Sequence, residues 1–332
     1  MFSRESFSIV PGDDAWILRE KIRRRREFTL QAALILLLVA FIAVLASNVE
    51  ANLAAKNIKS GFHFLMNRAG FEISDQLIPY SSNDPLWKAF ATGILNTLKV
   101  SACTVVSATV LGVVVGLMRL SRNAVVRFLG IAHVEAYRNV PLLVLLLALY
   151  LVVTELLPGV RAAFHLVFAF VWVILGVLGG WNHPVATRFS RSGGAQLTPE
   201  FLTLWLGLTL YTSAMIAEIV RAGVVSVRPT QWDAASALGL HTRETVSYII
   251  FPQAMRLIVP PLSSQYMTLT KNSSLAVMVG YPDLVNVGTT VMNITGQALE
   301  VICLIMGVYL TVNILISVFM NQLNARIMRA PQ

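Results

Sequence analysis

Seven apolar runs, at 29–47, 91–118, 139–157, 162–180, 201–220, 257–279 and 298–320, constrain this chain more than any motif does. Each is close to the length a helix needs to cross a hydrocarbon core about 30 Å thick. A segment in hydrocarbon must satisfy its own backbone N–H and C=O groups, so repeated runs of this length predict an all-α integral membrane protein. Composition agrees: only 13% of the 332 residues are charged and mean hydropathy is +0.68, against about 25% charged residues in a typical soluble domain. The first run follows Arg19, Lys21 and Arg23 to Arg26, as a signal peptide would. It is too long for a signal h-region, and Ala-Ser-Asn-Val-Glu is a poor cleavage site, so it reads as a retained span.

The net charge of +9 does not imply nucleic-acid binding, because the cations cluster beside span ends. They precede residue 27, occupy 119–138 as Arg119, Arg122, Arg127 and Arg138, and surround 222–256 as Arg221, Arg228, Arg243 and Arg256. Lys and Arg in that position mark the cytoplasmic face. Cys103 and Cys303 sit far apart inside apolar runs and read as buried, inert thiols without metal-ligand or redox spacing. No catalytic residue, metal site or cofactor is expected.

Topology then imposes a parity condition. With the N-terminus inside, 48–90 lies outside, 119–138 inside, and the segment after 157 outside; a complete crossing at 162–180 would put the basic 222–256 outside. Either 162–180 enters and leaves on one side, or two compressed crossings lie within 139–180. The expectation is about six full crossings, 162–180 being the doubtful segment, with both ends inside. The corresponding division is a basic tail (1–27), an added span (28–47), an external segment (48–90), a transmembrane domain (91–321) with an insert at 158–199 and a polar loop at 222–255, and a tail (322–332).

The polar loop has readable local chemistry. Thr230 with Asp233 is spaced as a capping box, Ala234, Ala235, Ala237 and Leu238 propagate helix, Gly239 is a left-handed stop, and Thr242 with Glu244 starts a second short helix running toward Pro252. Small residues at 234, 235 and 237 and an apolar knuckle at Leu238 and Leu240 suit docking into a partner's groove; an ordinary capped connection explains the same pattern.

Spacing adds a family resemblance. Asp233-Ala234-Ala235, three residues, Gly239, nine residues, Ile249, then Phe251-Pro252 resembles the EAA loop of ABC importer permeases, with Asp for Glu at 233 and Phe for Leu at 251. The segments 93–123, 134–151, 208–240 and 256–276 resemble the polar amino acid branch of that family. The N-terminal third, including NIKSGFHFLMNRAGFEISDQLIPYS (57–81), is similar to permeases of general L-amino acid or glutamate/glutamine/aspartate/asparagine importers; the shortened 158–199 region departs from them. The resemblance implies a type I ABC importer transmembrane domain in the bacterial inner membrane, with Asp233, Ala234, Ala235, Gly239 and Pro252 in the loop that couples it to the ATPase. It also implies a dimer of ATP-binding subunits, a second homologous permease subunit, a periplasmic binding protein and a polar L-amino acid substrate. The chain has no G-x-x-x-x-G-K-[ST] phosphate loop, so it is not expected to be an enzyme, and ATP hydrolysis would fall to a partner.

Pathway candidates are polar groups at membrane depth. The span 257–279 contains Gln265, Lys271, Asn272 and Ser273 among many polar residues, which requires a protein- or cavity-facing helix. Lys271 lies roughly 22 Å beyond Arg256 along an ideal helix, either as a substrate or gate cation or as the partner of Glu218 or of a second subunit. Asn96, Thr97 and Glu218 complete the set, with helix–helix hydrogen bonding the commoner role for Asn and Thr. An ion-coupled secondary amino acid transporter is the alternative, but it leaves the 229–252 loop unexplained and no inverted repeat is evident. The parity argument predicts that, in a variant lacking Cys103 and Cys303, single cysteines at Val160 and Val185 both react with an impermeant thiol reagent added from outside; labelling of only one would place a full crossing between them.

Overall fold

The computed structural model describes residues 13–55, 61–156, 185–186, 191–192 and 198–329. The chain divides into two units, Met1–Gly61 and Phe62–Gln332. The first contains helix α1 (Asp13–Ala55), whose apolar stretch Lys21–Leu45 is long enough to span. Leu34, Leu37 and Phe41 on it are more than half exposed, as lipid-facing side chains should be.

In the second unit a 3-10 turn (Phe62–Met66) leads to α2 (Leu86–Arg119), α3 (Ala124–Arg138) and α4 (Leu142–Leu151), which continues as a π-helical turn, Val152–Leu156. Beyond the insert come α5 (Pro199–Val225), α6 (Pro229–Ala237), the single turn α7 (Thr242–Glu244), α8 (Phe251–Asn272), α9 (Leu284–Thr295) and α10 (Ala298–Arg329). The one sheet among the described residues pairs Val185–Ala186 with Arg191–Ser192.

Four helices, α1, α2, α5 and α10, are long and apolar enough to span, and two broken pairs raise the number to as many as six if each pair is one span. In one pair, α3 meets α4 at 100°; in the other, the stretch Thr242–Val279 meets α9 at 53°. This agrees with six crossings, while 162–180 lies outside the described residues. One expectation is corrected: residues 124–138 form a helix rather than a loop, and Arg138 to Pro141 stand at the bend between it and α4. Pro141 lacks an N–H and disfavours helix in the residue before it, so the chain cannot run straight through.

The organising contact is α2 against α5. A Cβ on Gly112 would stand 2.7 Å from Ile216 Cβ and 2.9 Å from the Ser213 carbonyl, and one on Gly116 would stand 2.9 Å from the Ala217 carbonyl. Two glycines one turn apart let the backbones approach to a distance that only small residues allow, the usual basis of close packing between membrane helices. Polar bonds add direction on either side: Ser107 Oγ and Thr209 Oγ1 are 2.8 Å apart, and Trp205 Nε1 donates to Ser107 Oγ at 3.1 Å. On the next pair, Thr109 Oγ1 and Tyr266 OH are 2.9 Å apart, tying α2 to α8.

Cys103 and Cys303 are exposed on this unit rather than buried. An apolar neighbourhood in sequence signals burial in lipid as readily as burial in protein, so it cannot distinguish the two. The close approach predicts that Gly112→Val lowers the stability of the detergent-solubilised protein by about 1–3 kcal/mol, read as a drop in thermal midpoint, whereas Gly307→Val, where a Cβ meets nothing within 4 Å, changes it little.

Candidate functional site

The polar loop forms where α5 ends and α8 begins. Helix α6 opens with Pro229 at its first turn and Arg228 as N-cap, without a side-chain capping bond. Thr230 therefore lies inside the helix and forms no box with Asp233, because the proline, which needs no amide partner, already sets the first turn. At the other end Gly239 has φ +74°, its N–H donates to the Ser236 carbonyl at 3.0 Å, and Leu240 N–H donates to the Ala235 carbonyl at 3.1 Å. This is a Schellman closure, and it needs the left-handed conformation that glycine adopts without strain.

The next helix is capped by His241 rather than Thr242: His241 N–H donates to Glu244 Oε2 at 2.9 Å in a reciprocal capping box. It does not stop near Pro252. It widens into a π-helical stretch, Thr245–Ile250, and continues as α8 with Pro252 in its first turn; the wider turn relieves the clash between a proline ring and the carbonyl one turn back. Gln253 Nε2 donates to Gln231 Oε1 at 3.3 Å, linking α6 to α8. Below them lies an open hollow of about 420 Å³ edged by Arg228, Gln231, Gln253 and Arg256.

The loop presents a defined face. Asp233, Ala234, Ala237 and Gly239 are exposed, and Leu238 is 78% exposed. Ala235 is fully buried, so its small side chain serves the packing of α6 and is not free for a partner; Leu240 is half-buried.

The pathway candidates separate into two groups. Asn96 and Thr97 are buried and occupied: Asn96 Nδ2 donates to the carbonyls of Asp75 (2.7 Å) and Pro282 (2.9 Å), and Thr97 Oγ1 accepts from Leu284 N–H at 3.1 Å. They clip the segment before α2 and the start of α9 onto α2. Ser273 is buried and donates to the Thr270 carbonyl at 2.7 Å, while Gln265 and Asn272 are half-buried. Lys271 is exposed on α8, in line with exposed Ser264 and Thr268 at helical spacing.

Lys271 does not pair with Glu218. Glu218 accepts from the Arg119 guanidinium of α2 and from Arg221 on its own helix, with Arg221 Nε at 3.1 Å. The cluster ties α2 to α5 at the end where both carry arginines. Lys99 was not singled out by sequence. It binds both oxygens of Asp75 at 2.9–3.0 Å and sits 4.6 Å above the Phe201 ring, which joins the segment before α2 to α2 and α5. Only the intramembrane position of Lys99 signalled it, and 91–118 hid it inside an otherwise apolar run.

This arrangement is that of a polytopic helical membrane protein with broken spans, a polar stripe at membrane depth and a rigid, exposed helical knuckle between two spans. The sequence of residues 108–329 matches the model of the binding-protein-dependent transport system inner membrane components, and the chain belongs to that family. It is therefore a subunit of a transport system and a multi-pass inner membrane protein. It is 37% identical over 367 residues to the general L-amino acid transport system permease protein AapQ of Rhizobium johnstonii, covering 91% of this chain and 92% of that one. It is 34% identical to the glutamate/glutamine/aspartate/asparagine transport system permease protein BztB of Rhodobacter capsulatus, covering 92% and 94%. In fold it is similar to a crystal structure of an amino acid ABC transporter with histidines (TM-score 0.54, 24% identity, 72% of this chain and 94% of that chain). An inward-facing structure of the MetNI methionine ABC transporter is also similar (TM-score 0.52, 18% identity, 74% and 98%). The fold is that of a type I ABC importer transmembrane domain.

Because Glu218 holds two guanidiniums, Glu218→Gln is expected to lower the thermal midpoint in detergent more than Arg221→Gln does. The first change strands the largely buried Arg119; the second leaves the Arg119–Glu218 pair intact.

Proposed function

We propose that this chain is the transmembrane subunit of an ATP-driven importer for polar L-amino acids, working by alternating access. It would pair with a second homologous permease subunit and bind two ATPase subunits. A periplasmic binding protein would deliver the substrate. Both termini and the 222–255 loop face the cytoplasm in this reading, in keeping with the arginines at that end of α2 and α5. The relatives named for amino acid transport support the substrate class.

The observation that carries the coupling role is the α6 knuckle. A helix of nine residues, closed by Gly239 and bonded to α8 through Gln253, holds Leu238 out toward a partner while its other side packs inward. ATP binding draws the two ATPase subunits together, each carrying a docked knuckle with it. Because α6 is joined by short connections to α5 and α8, its displacement moves both spans and switches the pathway from inward-facing to outward-facing. Asp233, Ala234, Gly239 and Leu238 form the docking face; Ala235 and Pro252 set its backbone. Lys271, Gln265 and Asn272, with Ser264 and Thr268, line the pathway that opens between this subunit and the second permease, since a polar stripe is tolerated at membrane depth only against protein or water; Ser273 is turned inward and packs the helix.

Gly239→Asp places a charged side chain on the docking face at a positive φ. In proteoliposomes containing the full assembly, this variant is expected to insert normally yet lose uptake and binding-protein-stimulated ATP hydrolysis together. Normal uptake would overturn the docking role. Wild-type uptake that persists on an ion gradient with a hydrolysis-deficient ATPase would overturn the ABC reading.

A further inference from the structure

The break between α3 and α4 lies deep in the bilayer. His133 Nε2 is 3.0 Å from Ser213 Oγ, close to the midpoint of the 27-residue α5. That helix is roughly 40 Å long at 1.5 Å per residue, longer than the hydrocarbon core of about 30 Å, so His133 stands near mid-bilayer. Past the break, Leu146 packs where a Cβ on Gly207 would be, nearer the Pro199 end. The residues between these two contacts are therefore held within the core.

Those residues include Glu135, Arg138 and Asn139, all exposed on this unit. Asn139 Nδ2 donates to Glu135 Oε2 at 2.8 Å. Among the described residues, Arg138 has no carboxylate partner, and Glu135 and Arg138, one turn apart, make no ion pair with each other. Charges at this depth are costly and rare, which makes an intramembrane pair held apart a site by default. The backbone adds to the same polarity. The C-terminal carbonyls of α3 and the N-terminal amides of α4 both meet the break, offering a negative and a positive helix end at membrane depth.

We infer that this break is a recognition site for the two charges shared by all α-amino acids, with Arg138 receiving the α-carboxylate and Glu135, oriented by Asn139, receiving the α-ammonium. The inference rests on the transport reading above and adds to it the residues that hold the substrate during passage. A planar guanidinium suits a carboxylate through two parallel hydrogen bonds, which an ammonium cannot reproduce. A zwitterion satisfies both separated charges without leaving net charge in the core. An amine or a carboxamide analogue leaves one of them bare.

The test uses the complete assembly in proteoliposomes with its binding protein, ATP and labelled L-glutamine, L-glutamate, L-asparagine and L-aspartate. Arg138→Gln and Glu135→Gln are each expected to reduce the maximal uptake rate at least tenfold for every amino acid that the wild type carries. The half-saturating substrate concentration and the binding-protein-stimulated ATPase rate should stay within twofold, so that substrate moved per ATP falls. Arg138→Lys should recover part of the uptake. Uptake unchanged in both glutamine variants would overturn the site, as would a parallel loss of ATPase stimulation and uptake, the mark of a structural role. A wild-type assembly that carries none of the four amino acids would overturn the transport reading itself, a result distinguishable from either.

Discussion

The close approach of α2 and α5 at Gly112 and Gly116 is the contact on which the second unit depends. Without side chains there, the two backbones meet in the half of each helix nearer its arginines, and α3, α4, α8 and α9 are placed by reference to one or both of them. The α3 helix binds α5 through His133 and Ser213, α8 binds α2 through Tyr266 and Thr109, and α9 is held on α2 by Asn96 and Thr97. In lipid there is little hydrophobic drive for helices to associate, so close van der Waals contact and these interhelical hydrogen bonds do the work that core burial does in water. The Arg119–Glu218–Arg221 cluster fastens one end of the pair and the Lys99–Asp75 bridge fastens a neighbouring element at the other.

Against this rigid pair the broken helices stand out. Two of the described crossings are interrupted, one at Pro141 and one beyond Asn272, where the α-helix tightens to a 3-10 stretch and then turns at Gly280. Interruptions expose backbone groups that hydrocarbon cannot satisfy, and they are tolerated only beside protein or water. Both lie next to polar side chains that are exposed on this unit: Glu135, Arg138 and Asn139 at the first, Lys271 with Ser264 and Thr268 before the second. The α6 knuckle is the complementary device at the basic end. It is short, capped at its C-terminus by the Schellman closure and bonded to α8, so that a force on it reaches the spans without being lost in a flexible loop.

Much of this was legible in the sequence, and the failures follow a pattern. Apolar runs located the spans, since bilayer thickness leaves few alternatives to a helix of about twenty residues. Gly239 was recognisable as a helix stop from its local context alone. The caps were less so: Thr230 and Thr242 have capping chemistry, but Pro229 and the His241–Glu244 box start the helices one position earlier, a choice between neighbouring candidates that depends on backbone geometry. The sequence offered Glu218 as a partner for Lys271 at membrane depth. Only the fold separated them, giving Glu218 two arginines and leaving Lys271 exposed.

The sequence by itself determined the class of fold, the number of crossings among the described residues, the basic end and the family, because each follows from local composition or from short-range spacing. Tertiary structure decided which charges are paired, which glycines permit contact, and that Arg138 to Pro141 mark a sharp bend between two helices. Those outcomes depend on which helix faces sit opposite one another across long stretches of chain. A one-dimensional pattern of apolar residues does not encode that in lipid, where the protein-facing and bilayer-facing sides of a helix are equally apolar.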